Sequence, residues 1–412
     1  MTITAKVISK ALDDSAAYGY RRELRLKEVR RGMLVAPLFF YITLIFALPI
    51  VLMLIRSIED PEVSNVLPNT ASLIQHWDGN GLPRDEVFAA LASDVKEAAG
   101  NRTLGQAGSR LNYAIPGFQS LLMKTGQKIS GTPIVNGMEG LIQIDRRWKE
   151  NRYWLALRDA SSQYSLFYFR TALGMSATET TSDGRGFYFD VLARTLWMTF
   201  VVTSACVILG YPLSYFLANS SEALRIKLIL LVLLPFWTSL LVRTTAWFVL
   251  LQKHGLINDV GMFLGLWSEP LELIYNRFAV YVAMTHVMLP FMVLPLYSVM
   301  LKIPSTYLNA AATLGAPPLR SFWEVYLPLS FPGLGAGILL VFIVTLGFYI
   351  TPALLGGPAD QMLSYYIAQN ASNFGNWGLA AALSVLLLVV VGAVILLFAR
   401  LRTTTYTQEA GQ

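Results

Sequence analysis

Residues 33–55, MLVAPLFFYITLIFALPIVLMLI, run for 23 positions without a charge. A helix of that length, rising about 1.5 Å per residue, crosses a hydrocarbon core of roughly 30 Å. Few folds accept such a stretch, because a backbone amide in lipid finds its partner only within its own helix or in a closed barrel. Five more apolar runs follow, at 195–221, 228–251, 278–301, 333–356 and 379–399. Arg243 interrupts 228–251, His286 lies in 278–301, and none of the six runs contains Asp or Glu. None alternates polar and apolar residues as a barrel strand does. The sequence therefore predicts an all-α polytopic membrane protein with six transmembrane helices. Its composition agrees, with 54% apolar and only 14% charged residues.

Charge sets the orientation. With the N-terminus cytoplasmic, residues 1–32, 222–227, 302–332 and 400–412 hold fourteen Lys and Arg, whereas the short opposite segments 252–277 and 357–378 hold two. The positive-inside rule then predicts both termini in the cytoplasm. These flanks account for the net charge of +6 without invoking nucleic acid. The stretch RRELRLKEVRR at 21–31 reads as an orientation anchor against the anionic leaflet. The first run is too long for a signal-peptide core and lacks a small-residue cleavage site, so it reads as a retained span. Cys206, the single cysteine, falls in an apolar run and reads as a buried structural thiol.

The chain thus divides into a basic cytoplasmic N-terminus (1–32), a first transmembrane helix (33–55), an outer segment (56–188), a five-helix core (189–400) and a cytoplasmic tail (401–412). The outer segment has ordinary soluble composition and helical patterns such as DEVFAALASDVKEAA, which predict a periplasmic α-helical insertion between helices one and two. Its aromatic cluster, Trp148, Tyr153, Trp154, Tyr164, Phe167, Tyr168 and Phe169, reads either as a partner-facing surface or, for most members, as the insertion's own core.

The loop 302–332 carries stop and start signals. STYLNAAATL, from Ser305, is helix-compatible. Gly315 fits the left-handed residue that ends a helix, and Pro317 and Pro318 block its continuation. A second helix is expected from Ser321, which has capping-box spacing to Glu324, through to Pro328. About thirty ordered residues exceed what a link between spans needs. The small face of Ala310, Ala311 and Ala312 admits close approach of another surface, on the bundle or on a partner.

Within that loop, Asn309-Ala310-Ala311, three residues, Gly315, nine residues and Val325-Tyr326-Leu327-Pro328 resemble the EAA signature of ABC-importer permeases. That signature reads Glu-Ala-Ala, three residues, Gly, nine residues, Ile-x-Leu-Pro. Asn309 replaces its glutamate and Val325 its isoleucine. From about residue 190 to 400, stretches such as LILLVLLPFWTSLLVRTTAWFVLL, HGLIND and FYITPALLGGPADQM are similar to spermidine/putrescine-type permeases, and so is the first span. The insertion 56–188 is longer than the loop of the enteric polyamine permeases and is similar to the expanded loop of one branch.

The resemblance implies a multi-pass permease subunit in a bacterial inner membrane. It would move a small solute, polyamine-like or amino-acid-derived, from periplasm to cytoplasm. Three protein partners are implied: an ATP-binding subunit acting as a dimer, a second permease subunit and a periplasmic solute-binding protein. ATP and magnesium would sit on the ATPase, because this sequence has no Gly-x-x-x-x-Gly-Lys-Ser/Thr phosphate loop, and no cofactor is expected on this chain. The coupling residues carried over are Asn309, Ala310, Ala311, Gly315, Leu327 and Pro328.

Polar and aromatic groups at membrane depth supply the pathway candidates Arg243, Trp247, Tyr281, His286, Tyr297, Thr345 and Tyr349. Arg243 and His286 each lie about eight residues, roughly 12 Å, from the outer ends of their runs. A charge there faces the bundle interior or a water-filled cavity. Two readings stand for both residues: they line the outer vestibule, or Arg243 pairs structurally and His286 bridges helices. Aromatics hold an organic cation by cation–π contacts of roughly 0.5–2 kcal/mol each. Interfacial anchoring explains Trp247 and Tyr281 equally well. A secondary transporter or channel is the alternative, but the spans lack the acidic groups and inverted repeats such proteins use. A membrane sensor would need a cytoplasmic signalling domain, for which the tail after Ala399 is too short.

Overall fold

The structure, a computed structural model, describes residue 33 and residues 35–131, 137–175 and 186–409. The basic anchor expected at 1–32, parts of the insertion and the end of the 401–412 tail lie outside the described residues. Among the described residues there are no β-strands, and an isolated antiparallel bridge joins Glu59 to Tyr164, so the fold is all-α.

Two compact units make up the chain, Met1–Ile55 and Arg56–Gln412. The first contains helix α1 (Val35–Arg56) up to its last residue, with a π turn over Thr43–Ala47 and no buried side chain. From residue 35 to residue 55 α1 carries no charged side chain, as a segment crossing lipid requires.

The second unit begins with the insertion, whose described residues form eight α-helices: α2 (Pro61–Val66), α3 (Pro68–Ile74), α4 (Asp85–Gly100), α5 (Leu104–Ala114), α6 (Phe118–Gly131), α7 (Gly137–Ile144), α8 (Asn151–Ala160) and α9 (Phe167–Ala172). Trp148 and Trp154 are fully buried at its centre beside Phe88, Leu91 and Phe118. Both indoles are satisfied: Trp148 donates to Thr125 Oγ1 at 3.1 Å and Trp154 to the Trp148 carbonyl at 2.9 Å. Buried Asp94 ties α3 to α4 by accepting from Asn69 and from both the N–H and hydroxyl of Thr70. Buried Arg110 clasps buried Asp60 through Nε and Nη2, a paired burial of charge that holds α5 to the start of α2. The aromatic cluster divides. Trp148, Tyr153 and Trp154 belong to this core, whereas Phe167, Tyr168 and Phe169 pack on the membrane helices and Tyr164 is exposed.

Among the described residues of the second unit, four long apolar helices can span a bilayer: α10 (Phe187–Asn219), α14 (Arg277–Met300), α16 (Pro318–Leu346) and α19 (Trp377–Glu409), the last of these apolar over Trp377–Arg400. The run 228–251, expected as one span, is instead a bent pair. Helix α11 (Glu222–Leu233) tightens into a 3₁₀ turn at Leu234–Trp237, and α12 (Leu240–Leu251) then starts afresh and leads into α13 (Leu256–Phe263), the two arms bent by 99°. The cause is local. Pro235 enters the 3₁₀ turn, Thr238 is extended, and Ser239 caps the new helix by accepting the Val242 N–H at 3.2 Å.

The span expected over 333–356 is displaced as well. Helix α16 starts fifteen residues earlier and closes at Gly347, and a separate short helix, α17 (Ile350–Leu355), follows. Helix α15 (Ser305–Thr313) lies in the preceding loop, and α18 (Leu363–Ser372) precedes α19. Helices α10, α14 and α16 form the central packing, where Met292 is gripped from both sides. A Cβ at Gly210 would lie 2.8 Å from its Cγ and one at Gly337 2.7 Å from its Sδ, so a side chain at either position would force Met292 to shift.

Candidate functional site

Two groups of side chains emerge. The first is the loop between α14 and α16. Helix α15 ends as Gly315 adopts φ +86°, a left-handed conformation natural to glycine. The Ala316 N–H bonds the Ala311 carbonyl and the Gly315 N–H the Ala312 carbonyl, both at 3.0 Å, a Schellman closure. Pro317 then caps the next helix with Pro318 at its first position, where a missing N–H costs nothing. The expected start at Ser321 is thereby corrected. Ser321 is buried inside the helix with its hydroxyl unbonded, and Glu324 pairs with Arg320 at 2.9 Å rather than closing a capping box. The helix also passes through Leu327 and Pro328 into the span instead of ending there.

Asn309 and Ala310 are exposed on α15 and Ala311 is half-buried. Around them Tyr307, Leu314, Leu319 and Trp323 are 53%, 88%, 72% and 60% exposed. The element therefore presents a small-residue helix and four large apolar side chains outward.

The second group lies on α12 and α14. Trp247 donates its indole N–H to Nδ1 of His286 at 3.2 Å, the rings meeting edge-on. Arg243 stands one turn before Trp247 and is electrostatically coupled to His286. Its Nε is buried with no hydrogen-bond acceptor. One turn away, Thr244 and Thr351 share a buried hydroxyl contact of 3.2 Å that fastens α12 to α17. Three of the seven pathway candidates thus come together. The other four are spread out. Tyr281 and Tyr297 occupy the first and last turns of α14, about 24 Å apart at helical rise. Thr345 is buried near the end of α16 with its hydroxyl unbonded, and Tyr349, 41% exposed, caps α17.

The sequence reading missed one polar network. Arg277 donates to Asp360 at 2.6 Å, Asp360 also accepts the Gly357 N–H, and Arg194 donates to the carbonyls of Ala359 and Gln361 at 2.7 and 3.0 Å. These contacts pin the GGPADQ turn across the ends of α10 and α14. The stretch FYITPALLGGPADQM was the only signal for it. A cavity of about 840 Å³ opens elsewhere, between α5 and the turn before α19, with Arg110, Tyr113, Tyr168 and Trp377 among its walls. No pathway candidate lines it.

Residues 185–403 match the family described as binding-protein-dependent transport system inner membrane component, so α10 to α18 and most of α19 fall within the match and α2 to α9 outside it. The chain is 35% identical over 213 residues to the spermidine/putrescine transport system permease protein PotB of Escherichia coli K12, covering 52% of this chain and 78% of that protein. Identity and length are the same for PotB of Salmonella typhimurium LT2, of which 74% is covered. A crystal structure of a bacterial ABC transporter involved in importing the acidic polysaccharide alginate aligns with a TM-score of 0.40 at 17% identity, over 51% of this chain and 78% of that one.

Proposed function

Because this chain belongs to the family of binding-protein-dependent transport system inner membrane components, we propose that it couples solute import to ATP hydrolysis on a separate subunit through α15, Gly315 and the first turns of α16. As a family member it is a non-catalytic, multi-pass permease of the inner membrane. ATP and magnesium belong on the partner ATPase, a dimer, and no cofactor on this chain is needed. A second permease subunit completes the bundle, and a periplasmic solute-binding protein delivers the solute. Both termini lie in the cytoplasm, following the charge asymmetry of the loops.

One observation carries the coupling role. The loop that the positive-inside rule puts in the cytoplasm ends its first helix at Gly315 and turns Tyr307, Leu314, Leu319 and Trp323 outward. Large apolar side chains clustered on an aqueous face mark a protein contact. Asn309, Ala310 and Ala311 lie on that element, with Leu327 and Pro328 at its root in the membrane. For the pathway, the grouping of Arg243, Trp247 and His286 supports a polar lining at membrane depth; Tyr281, Tyr297, Thr345 and Tyr349 are assigned to it more loosely. The names of the relatives favour a polyamine-like solute, with an amino-acid-derived one as the other choice.

The test is co-purification of the full chain in detergent, expressed with its genomic neighbours. Wild type is expected to retain an ATPase. Gly315→Pro, which removes the N–H that closes α15, and Ala311→Trp are expected to lose both the ATPase and uptake while still inserting in the membrane. A wild-type chain that retains no ATPase, or normal uptake in both variants, overturns the reading. Binding assays on the partner periplasmic protein identify the solute.

A further inference from the structure

The ends of α10 and α14 nearest the loop meet the start of α16 in one aromatic cluster. Tyr326 is 3% exposed and stands edge-on to Tyr215 of α10, the ring centroids 5.1 Å apart. Phe322 stacks on Tyr326 at 6.0 Å and meets Tyr215 and Tyr211 edge-on at 5.6 and 6.1 Å. Ser330 donates its hydroxyl to the Leu327 carbonyl at 2.7 Å, which leaves Tyr211 as the donor in their 2.9 Å bond. Asn219, the last residue of α10, donates to the Tyr215 carbonyl at 2.8 Å. Leu296 and Met300 of α14 belong to the same cluster, and Leu308 of α15 packs on it.

The backbone beneath is a π turn, Phe322–Tyr326, in which the Leu327 N–H reaches the Phe322 carbonyl. Pro328 has no N–H for a regular ladder, and its ring would press on the carbonyl four residues back. The wider turn accommodates both facts.

Helix α15 itself buries no residue fully, so its hold on the bundle is narrow: Leu308, the short link from α14 that carries Ile303, and the covalent turn into α16. A load applied to α15 has to pass through that hold. On the other side are rings in edge-on and stacked contact, the geometry aromatic pairs prefer. Packed interiors of this kind switch between discrete arrangements rather than yield gradually.

We infer that Tyr326 and Phe322 are the positioning residues through which displacement of α15 reaches α10 and α14, an inference that rests on the proposed coupling role of the loop. The rings act as an interlock. They bind neither solute nor nucleotide, and they set how much of the loop's movement becomes movement of the spans. Losing a ring then wastes hydrolysis instead of abolishing it.

The experiment uses the complete transporter in proteoliposomes and reads two quantities, ATPase retention and ATP hydrolysed per solute imported. The second is a ratio, so a change in the amount of assembled complex leaves it unmoved. Tyr326→Leu and Phe322→Leu are expected to retain the ATPase and raise the ratio several-fold. Tyr326→Phe keeps the ring and is expected to hold the ratio at the wild-type value. Phe322 is only half-buried, so its variant remains informative if Tyr326→Leu folds poorly. A wild-type ratio in the Leu variants overturns the inference, whether or not less complex assembles. A wild-type transporter that retains no ATPase overturns the coupling role itself, and this inference with it.

Discussion

Trp247 donates its indole N–H to Nδ1 of His286 across 3.2 Å, joining α12 to α14 over 39 positions of sequence. An imidazole that accepts at Nδ1 carries its proton on Nε2, so the pair fixes the tautomer as well as the helix contact. Hydrogen bonds between membrane helices contribute on average ~0.6 kcal/mol, with values up to about 1.7. A double-mutant cycle of Trp247→Phe and His286→Leu, read by thermal unfolding, is expected to give a coupling energy in that range. Strict additivity of the two substitutions would show that the contact contributes nothing.

Arg243 gives a different expectation. Its Nε is buried without an acceptor, and the apolar runs offer no carboxylate to neutralise it. Retaining such a charge in a membrane span costs stability, so its retention points to use. Arg243→Met is expected to unfold at the same or a higher temperature than wild type while altering the KM or maximal rate of uptake. Unchanged uptake kinetics would remove Arg243 from the pathway.

Asn309 stands where the family signature has glutamate, exposed on α15. Asn309→Ala removes one exposed amide and is expected to leave thermal stability within about 0.5 kcal/mol. ATPase retention is expected to weaken, measured by titrating the purified ATP-binding subunit against the detergent-solubilised chain. Equal affinity for both forms would show that Asn309 takes no part in docking.

In the insertion, Asp145 caps the turn Arg146–Lys149 and accepts from the Arg147 N–H and guanidinium and from Lys124. The Arg147 hydrogen bonds, with help from Lys124, hold its carboxyl well below the usual carboxylate range. A carboxylate with a depressed folded value stabilises the fold above its ordinary value of 3.8 and loses that contribution as pH falls through the folded value. Hydrogen-exchange protection of the Arg147 and Trp148 amides, corrected for intrinsic rates, is therefore expected to fall with pH below that point. Asp145→Asn is expected to cost on the order of 1 kcal/mol at neutral pH and to flatten the acid dependence. Identical profiles for both forms would rule out this role.

Apolar run length made most of the membrane architecture legible. The break in 228–251 was harder to see, because Pro235 and Ser239 act on the backbone inside a stretch whose hydropathy hardly changes. Pro318 and Ser321 compete as helix starts in the same way. Capping-box spacing favoured Ser321, but the fixed φ of Pro318 after Pro317 had already committed the chain to helix. Gly315 was readable since a left-handed closure followed by two prolines leaves one local solution. Tyr168 and Trp154 have similar local surroundings in sequence, yet one packs on the membrane helices and the other fills the insertion. That division is set for Tyr168 by contacts about two hundred positions away, and the meeting of Trp247 with His286 spans 39. No local signal records either.

Tyr168 rests on Gly378, where a Cβ would lie 2.3 Å from its ring. The glycine is made more than two hundred residues after the tyrosine, at the start of α19. During synthesis the insertion therefore leaves the ribosome long before the surface that receives it exists. Its aromatic end, packed also against Leu192 and Leu363, is not fully covered until α19 is in place. Insertion and membrane bundle are therefore joined late, by a contact that no partly made chain short of Gly378 can form.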